Sequence, residues 1–369
     1  VDGPFYNMAL TYREALQADG YRVTIKPSES TAQLLERVNG SDAPNSIGFL
    51  MGSYDHSSYP RLQSLGFVDQ QPLFLFYSAA YGEMVSLATL KGRRIVLPPK
   101  DSITAQTALN LLSQYNINQQ NTDIEFLPFQ QAISVLQTGD AYAMFLMLGA
   151  EHPAINRLMS DPNLRAFSYR NTRGLLKKLN DLDEVMIAPA SYDVLRQIPA
   201  KALNLLAARV EIIANDRLDS AAAYALLNVF ENLHHRATLT NAVDAFPSFS
   251  GLLAPPNPIT QNFAKTGTPW LYRTLPGELA VLIDKYLIIG LAIFLLAEVY
   301  RVMRYLYEFL ALSAETLSLN ILRRQRNLRA KGKQPGMVGR LLERWAQAVV
   351  TRQSIRQKAA DTMTEPPKN

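Results

Sequence analysis

Side chains with chemistry to offer are few and dispersed along this chain. There is no cysteine, which removes disulfides, thiolate nucleophiles and cysteine metal sites. The four histidines are His56, His152, His234 and His235. The adjacent pair cannot share one side of a helix, and neither has an acidic or histidine partner three or four residues further on. A surface or capping role is therefore expected, rather than metal ligation. No GxSxG elbow, GxxxxGK[ST] phosphate loop, GxGxxG fingerprint or HExxH pair occurs, and the carboxylates are scattered. The pattern predicts no enzyme and no cofactor.

Short polar turns carry more information. Phe5-Tyr6-Asn7, Ser28-Glu29-Ser30-Thr31, Gly52-Ser53-Tyr54 and Ser102-Ile103-Thr104 fall where strands would feed helices or loops. In open α/β sheets ligands bind at the carboxyl ends of strands, and helix N-terminal amides with hydroxyls suit an anionic group. Tyr6 could stack on a ligand and Asn7 donate to it, while Ser30, Thr31, Ser53, Ser102 and Thr104 would add directed hydrogen bonds. The same serines serve equally well as helix caps, and Tyr6 as a core aromatic.

The elements that would position these turns alternate along residues 1–255. Pro4 suits the first turn of a helix through Tyr12 and Leu16. Strands are expected at 21–27 (YRVTIKP), 46–52, 73–78, 93–99, 123–129, 142–148, 164–169 and 184–190. Helices are expected after Thr31, after Ser102 to about Tyr115, over Gln130–Gln137, Ser191–Leu195 and Ala200–Ala208, and over Asp219–His234. VEIIA reads as one more strand. Helices between short apolar strands argue an α/β body with mainly parallel sheets. Pro and Gly accumulate from Pro247 to Pro276, which reads as a link.

Beyond that link lies Tyr286–Ala297, twelve residues without a charge, inside an apolar stretch from Leu279 to Val302. A spanning helix needs about 20 residues, a length reached if Asp284, Lys285, Glu298 and Arg301 lie at the two interfaces. From Arg301 onward there are 14 Lys or Arg against 5 Asp or Glu, whereas residues 1–300 hold 23 against 27. A weakly acidic body, one span and a basic tail fit the positive-inside rule, with the body outside the cytoplasm. An exported body needs a signal or anchor upstream of residue 1. Nucleic acid would explain the basic tail but not the span before it. ILRRQRNLRAKGKQPG reads as a flexible basic linker. Beyond it Val338, Leu341, Leu342, Trp345 and Val349 form one side of a basic amphipathic helix, suited to anionic lipid or a partner.

Taken in order, several blocks resemble the TAXI-group solute receptors of tripartite ATP-independent periplasmic (TRAP) transporters, in their membrane-anchored form. GPFYNMA at 3–9 is similar to the family's Gly-x-Tyr-Tyr-x-x-Ala helix start. LATLKGRRIVLPPKDSITAQTALNLL at 87–112 resembles its L-x-D-L-K-G-K-R-I block, and PFQQAISVLQTGDAYAMF at 128–145 its helix and G-x-I-D-A-x-F. The resemblance implies a type II periplasmic-binding-protein fold with two lobes. Residues 1–90 with 190–255 would form lobe I and 93–187 lobe II, hinged near Ile95–Pro99 and Ile187–Ala190. A linker at 256–278, a transmembrane helix at 279–302 and a basic cytoplasmic helical tail at 303–369 would follow. It further implies a small carboxylate or amino acid bound between lobes by Tyr6, Asn7, Ser30, Thr31, Ser53, Ser102 and Thr104. Membrane lipid and an integral-membrane transporter would be partners, in a bacterial inner membrane.

The chain departs from that pattern in two places. Ile103 stands where the family's Ser-Gly-Thr has glycine, and Pro27-Ser28-Glu29-Ser30 lacks the glycine of T-x-G-S while adding an anion. Glu29 in the pocket would oppose a carboxylate. The alternative is a receptor-like accessory, sensor or structural subunit of an inner-membrane complex.

Overall fold

The computed structural model describes residues 4–28, 30–275 and 277–364. Gly3 of the GPFYNMA block and Glu29 lie outside them. Two compact units divide the chain, residues 1–281 and 282–369.

In the first unit the chain runs α1 (Pro4–Ala18), α2 (Thr31–Asn39), β1 (Ile47–Met51) and β2 (Leu62–Ser78). Next come β3 (Arg94–Leu97), α3 (Ile103–Ser113), β4 (Asp123–Phe126), α4 (Phe129–Gln137) and β5 (Ala143–Met147). Then follow α5 (Pro153–Ser160), β6 (Leu164–Ala166), α6 (Thr172–Leu176), β7 (Leu182–Ile187), β8 (Leu203–Asn215) and α7 (Ser220–His234), with α8 (Pro258–Thr266) and α9 (Trp270–Thr274) last. One sheet holds all eight strands in the order β1-β8-β2-β5-β3-β4, with β6 on β2 and β7 on β8.

Two long strands organise this sheet. The first part of β2 pairs with β8, from Leu62–Asn215 to Leu73–Leu206. From Leu73 onward β2 pairs with β5, and at Phe76–Ser78 with β6. Along its other edge β8 serves β7 over Leu203–Ala208 and β1 over Val210–Ala214. The sheet thus has two halves joined through β2 and β8. Helices α1, α2, α7 and α8 pack with the first half, and α3, α4 and α5 with the second. Pro72, which has no N–H for a ladder, stands one residue before β2 changes partner. Both faces of β2 and β8 are covered, so Leu65, Phe67, Leu73, Phe74, Leu75, Phe76, Leu205, Leu206 and Ile212 are completely buried. Ser30, Ser102 and Asp219 cap α2, α3 and α7 by accepting from amides of the first turn.

Several expectations change. Only β3 pairs in parallel, with β4 and β5; the other ladders among the described residues are antiparallel, because the long strands return through both halves. Ala200–Ala208, read as helical from its Ala and Leu content, belongs largely to β8, where pairing on both edges overrides propensity. Residues 191–195 form turns rather than a helix. Residues 21–27 keep the alternating exposure of a strand but have no ladder among the described residues. The stretch read as a link packs on the body instead. Ser248 and Pro256 bridge to β2, and Ala254, Asn257, Thr260, Phe263 and Leu271 are buried.

The second unit consists of most of α10 (Gly277–Ala330) and α11 (Met337–Thr364). The most apolar window of α10 has a mean hydropathy of 2.3 and is 6% buried. By length and composition this helix could cross a membrane. The stretch expected to be a flexible linker is helical through Ala330, built of Leu, Arg, Gln and Ala, which favour helix. Farther along, α10 and α11 meet: Arg329 pairs with Glu343 at 2.8 Å, Gly339 lies beside Gln325, and Ser318 and Ala346 are buried. Val338, Leu341, Leu342 and Trp345 stay exposed.

Candidate functional site

The backbone of β2 is irregular in the residues that precede its change of partner at Leu73. Register shifts fall between Ser64 and Gly66 and between Phe67 and Asp69, and such bulges re-aim side chains. Asp69, Gln70 and Gln71 follow, a run of three polar residues in a mainly apolar strand. They line a cavity of about 230 Å³ together with Asn7 and Met8 from α1, Gly149–His152 after β5, and Thr238 and Thr240. Both halves of the sheet therefore contribute to its wall.

The charged groups of this cavity are both carboxylates, Asp69 and Glu151. Asp69 accepts from the Gln70 amide at 2.8 Å, and Glu151 Oε1 from the Leu239 amide at 3.2 Å. Burial, reinforced by the nearby Glu151 charge, pushes the Asp69 carboxyl up to about 6 against the Gln70 hydrogen bond. Gln71 is 2% exposed and its Oε1 has no hydrogen-bond partner. Gln70 Nε2 donates to Thr240 O at 3.2 Å and to Asn241 Oδ1. His152 accepts from the Ala154 amide through Nδ1, capping α5, and burial holds its ring below the usual imidazole range. Behind the cavity, Tyr12 Oη and His234 Nε2 lie 2.7 Å apart, and burial depresses His234 to about 4.

A second cavity, of about 370 Å³, lies between Gly52-Ser53, the first turns of α3, and Lys178–Leu182. Ser53 Oγ donates to Asp181 at 3.3 Å. Ile103 lines this space, and its Cδ1 would lie 3.3 Å from a Cβ placed on Gly52, whose φ is +78°. The β-branched side chain thus occupies the approach to the β1 turn. A wider groove of about 970 Å³ surrounds β6, with Arg165, Arg170, Arg196, Lys201 and Glu83 exposed along it.

The residues expected to bind ligand are dispersed among these places. Asn7 lines the acceptor cavity and Ser53 the second one. Ser30 and Ser102 are helix caps, with Thr31 in the first turn of α2. Thr104 is buried in α3, and Tyr6 is half-buried beside Phe5, which stacks on Phe49 at 5.3 Å. Asp69, Gln71 and Glu151 escaped the sequence reading. The signal for the first two was the polar Asp69-Gln70-Gln71 interruption before Pro72 in a largely buried strand; nothing local marked Glu151. Among the described residues, no group of three His, Asp or Glu is placed to hold a metal ion.

Residues 51–248, which include β2, β8 and the second half of the sheet, match the NMT1-like family model. Comparison with curated proteins gave no match. Among solved structures, similar chain traces include the GluR0 ligand-binding core in complex with L-glutamate (12% identity, TM-score 0.38, 61% of this chain and 81% of that one). Another is the BenM effector-binding domain with benzoate (13%, 0.41, 63% and 86%). A third is the substrate-binding domain of a putative molybdenum ABC transporter from Clostridium difficile (13%, 0.35, 62% and 89%).

Proposed function

The chain belongs to the NMT1-like family, and from that premise we propose that its α/β body is an extracytoplasmic receptor for a small organic molecule. Two lobes of a periplasmic-binding-protein-like fold close on the ligand by bending β2 and β8. The observation that carries this reading is the acceptor cavity at the crossing of β2, walled by α1 from one half and Gly149–His152 from the other. A ligand there touches both halves, so it favours the closed arrangement by the difference in its contacts between open and closed states.

In this reading α10 anchors the receptor in the inner membrane, with the body in the periplasm and the basic α11 in the cytoplasm. Supporting it are the apolar stretch of α10, with exposed Leu287, Ile288, Ile293, Phe294 and Leu296, and the basic residues that follow. A TAXI-type receptor handing its ligand to a TRAP transporter is the role that the sequence blocks favour. Ile103 against Gly52 favours a second reading, in which the body is retained as an accessory subunit without a ligand.

Two measurements test the proposal. Thermal shift of the detergent-solubilised full chain against amino acids, small carboxylates and small amines should give saturable stabilisation by one class. A uniformly flat response transfers the role to the accessory subunit. Protease added to intact spheroplasts should digest the body and spare an epitope placed after Asn369. Protection of the body with loss of the epitope reverses the topology.

A further inference from the structure

We propose that the cavity at the crossing of β2 selects a small organic cation rich in N–H donors, a primary amine or an amidine, over a free carboxylate. This rests on the receptor reading above and names its ligand class.

Donor and acceptor placement is the first ground. Gln71 is almost wholly buried on β2, and its Oε1 is an acceptor without a donor. A buried amide oxygen left unpaired is unfavourable, and this one lies just beneath the cavity surface, where it adds to the negative field of the wall. Asp69 and Glu151 each use one oxygen on a backbone amide, which fixes the carboxylates in place beside the cavity. One side-chain donor of the wall, Gln70 Nε2, is already directed at Thr240 and Asn241.

Charge is the second ground. Among the described residues no Lys or Arg lines this cavity, while two carboxylates do. The first turn of α1, which supplies Asn7, contributes about half a positive charge at most, less than the two carboxylates oppose. A carboxylate ligand would be placed against like charges in a partly desolvated space, whereas an ammonium or amidinium would be paired there. The groove around β6 shows that this chain does gather arginines elsewhere, so the acidic wall is local to the crossing.

Size sets the scale of the ligand. A volume of about 230 Å³ corresponds to the liquid volume of about eight waters, enough for a compact amine.

The test uses calorimetry on the full chain in detergent at pH 7.5, with shape-matched pairs: benzamidine against benzoate, butylamine against butyrate, and 1,4-diaminobutane against succinate. Saturable 1:1 binding of at least one amine or amidine is expected, with its carboxylate partner silent. Glu151→Gln, which keeps the Leu239 hydrogen bond available, should weaken that binding by about 10- to 100-fold, and Asp69→Asn should do the same. Circular dichroism and melting of both variants establish that they are folded. Binding of a carboxylate in preference to its amine overturns the ligand class while leaving the receptor reading standing. Amine binding that neither variant weakens places the cation elsewhere and overturns the site. A blank result across all pairs, followed by a blank in the wider thermal-shift series, overturns the inference and the receptor reading together.

Discussion

The cavity at the crossing of β2 and the groove around β6 hold opposite charges in opposite surroundings. In the groove, Arg165, Arg170, Arg196 and Lys201 stand in solvent, where water and salt already satisfy them. Asp69 and Gln71 sit where water is scarce, so their needs are felt in stability and in selectivity, while Glu151 stands exposed at the rim. The larger concavity is the weaker candidate because its charges all stand in solvent, whereas the smaller one holds a sheltered carboxylate.

The comparison can be broken hardest at the bulge that shapes the crossing. Gly66 has a φ of +117°, and a Cβ there would lie 2.8 Å from the Phe249 ring. Gly66→Ala should therefore lower stability by about 2–4 kcal/mol, combining backbone strain with overpacking. Unchanged denaturant midpoints would mean that the bulge is not needed.

Next comes Asp69→Asn, which should raise stability by about 2 kcal/mol at pH 7.5. The folded carboxyl, at about 6, lies above its unfolded value. The folded state therefore binds the proton more tightly, and wild-type stability from this group falls as pH rises from about 4 to 6. The advantage of the variant should vanish near pH 4. His234 acts in the opposite sense: its folded value of about 4 lies below the free ring, so its contribution is lost as pH falls below about 6.5. Wild-type melting should accordingly change little between pH 4 and 6.5, while the variant should rise through that window. Parallel curves would remove Asp69 from the enclosed set.

Ile103→Gly should cost about 1–2 kcal/mol, from lost packing and weaker helix propensity at the start of α3. It should also leave space beside Gly52, and an affinity change for the bound ligand would mark the second cavity as part of the same site. Smallest of all is the groove: Arg165→Gln with Lys201→Gln should shift stability by less than about 0.5 kcal/mol. A larger loss would show that those cations are structurally engaged.

How much of this was legible depended on where the determining contacts lie. Strands β3, β4 and β5 are short apolar runs between turn residues, and Ser102 announces α3, so local pattern was enough. Leu203–Asn215 defeated that reasoning because its Ala-Leu composition suits a helix and only pairing on both edges makes it a strand. Pro-rich residues 247–274 resemble a link until the bridges to Ser64 and Phe67 are seen. The candidate site failed for a related reason. Hydroxyls at strand ends draw attention, and here Ser30 and Ser102 are occupied as caps. Asp69, Gln71 and Glu151 come together only through the crossing, a long-range feature of the fold. Ile103 was legible as a departure from glycine, and its contact with Gly52 gives that departure a physical form.

Under the proposed function a ligand draws the two halves together about β2 and β8. The absence of native cysteine makes it directly measurable. Spin labels at Gln17→Cys on α1 and Gln119→Cys before β4, both exposed, report one distance across the crossing. The account predicts a distribution that shortens and narrows when the amine identified by calorimetry is added, and that stays unchanged in Glu151→Gln at the same concentration. A distance indifferent to a ligand that binds with 1:1 stoichiometry would contradict it.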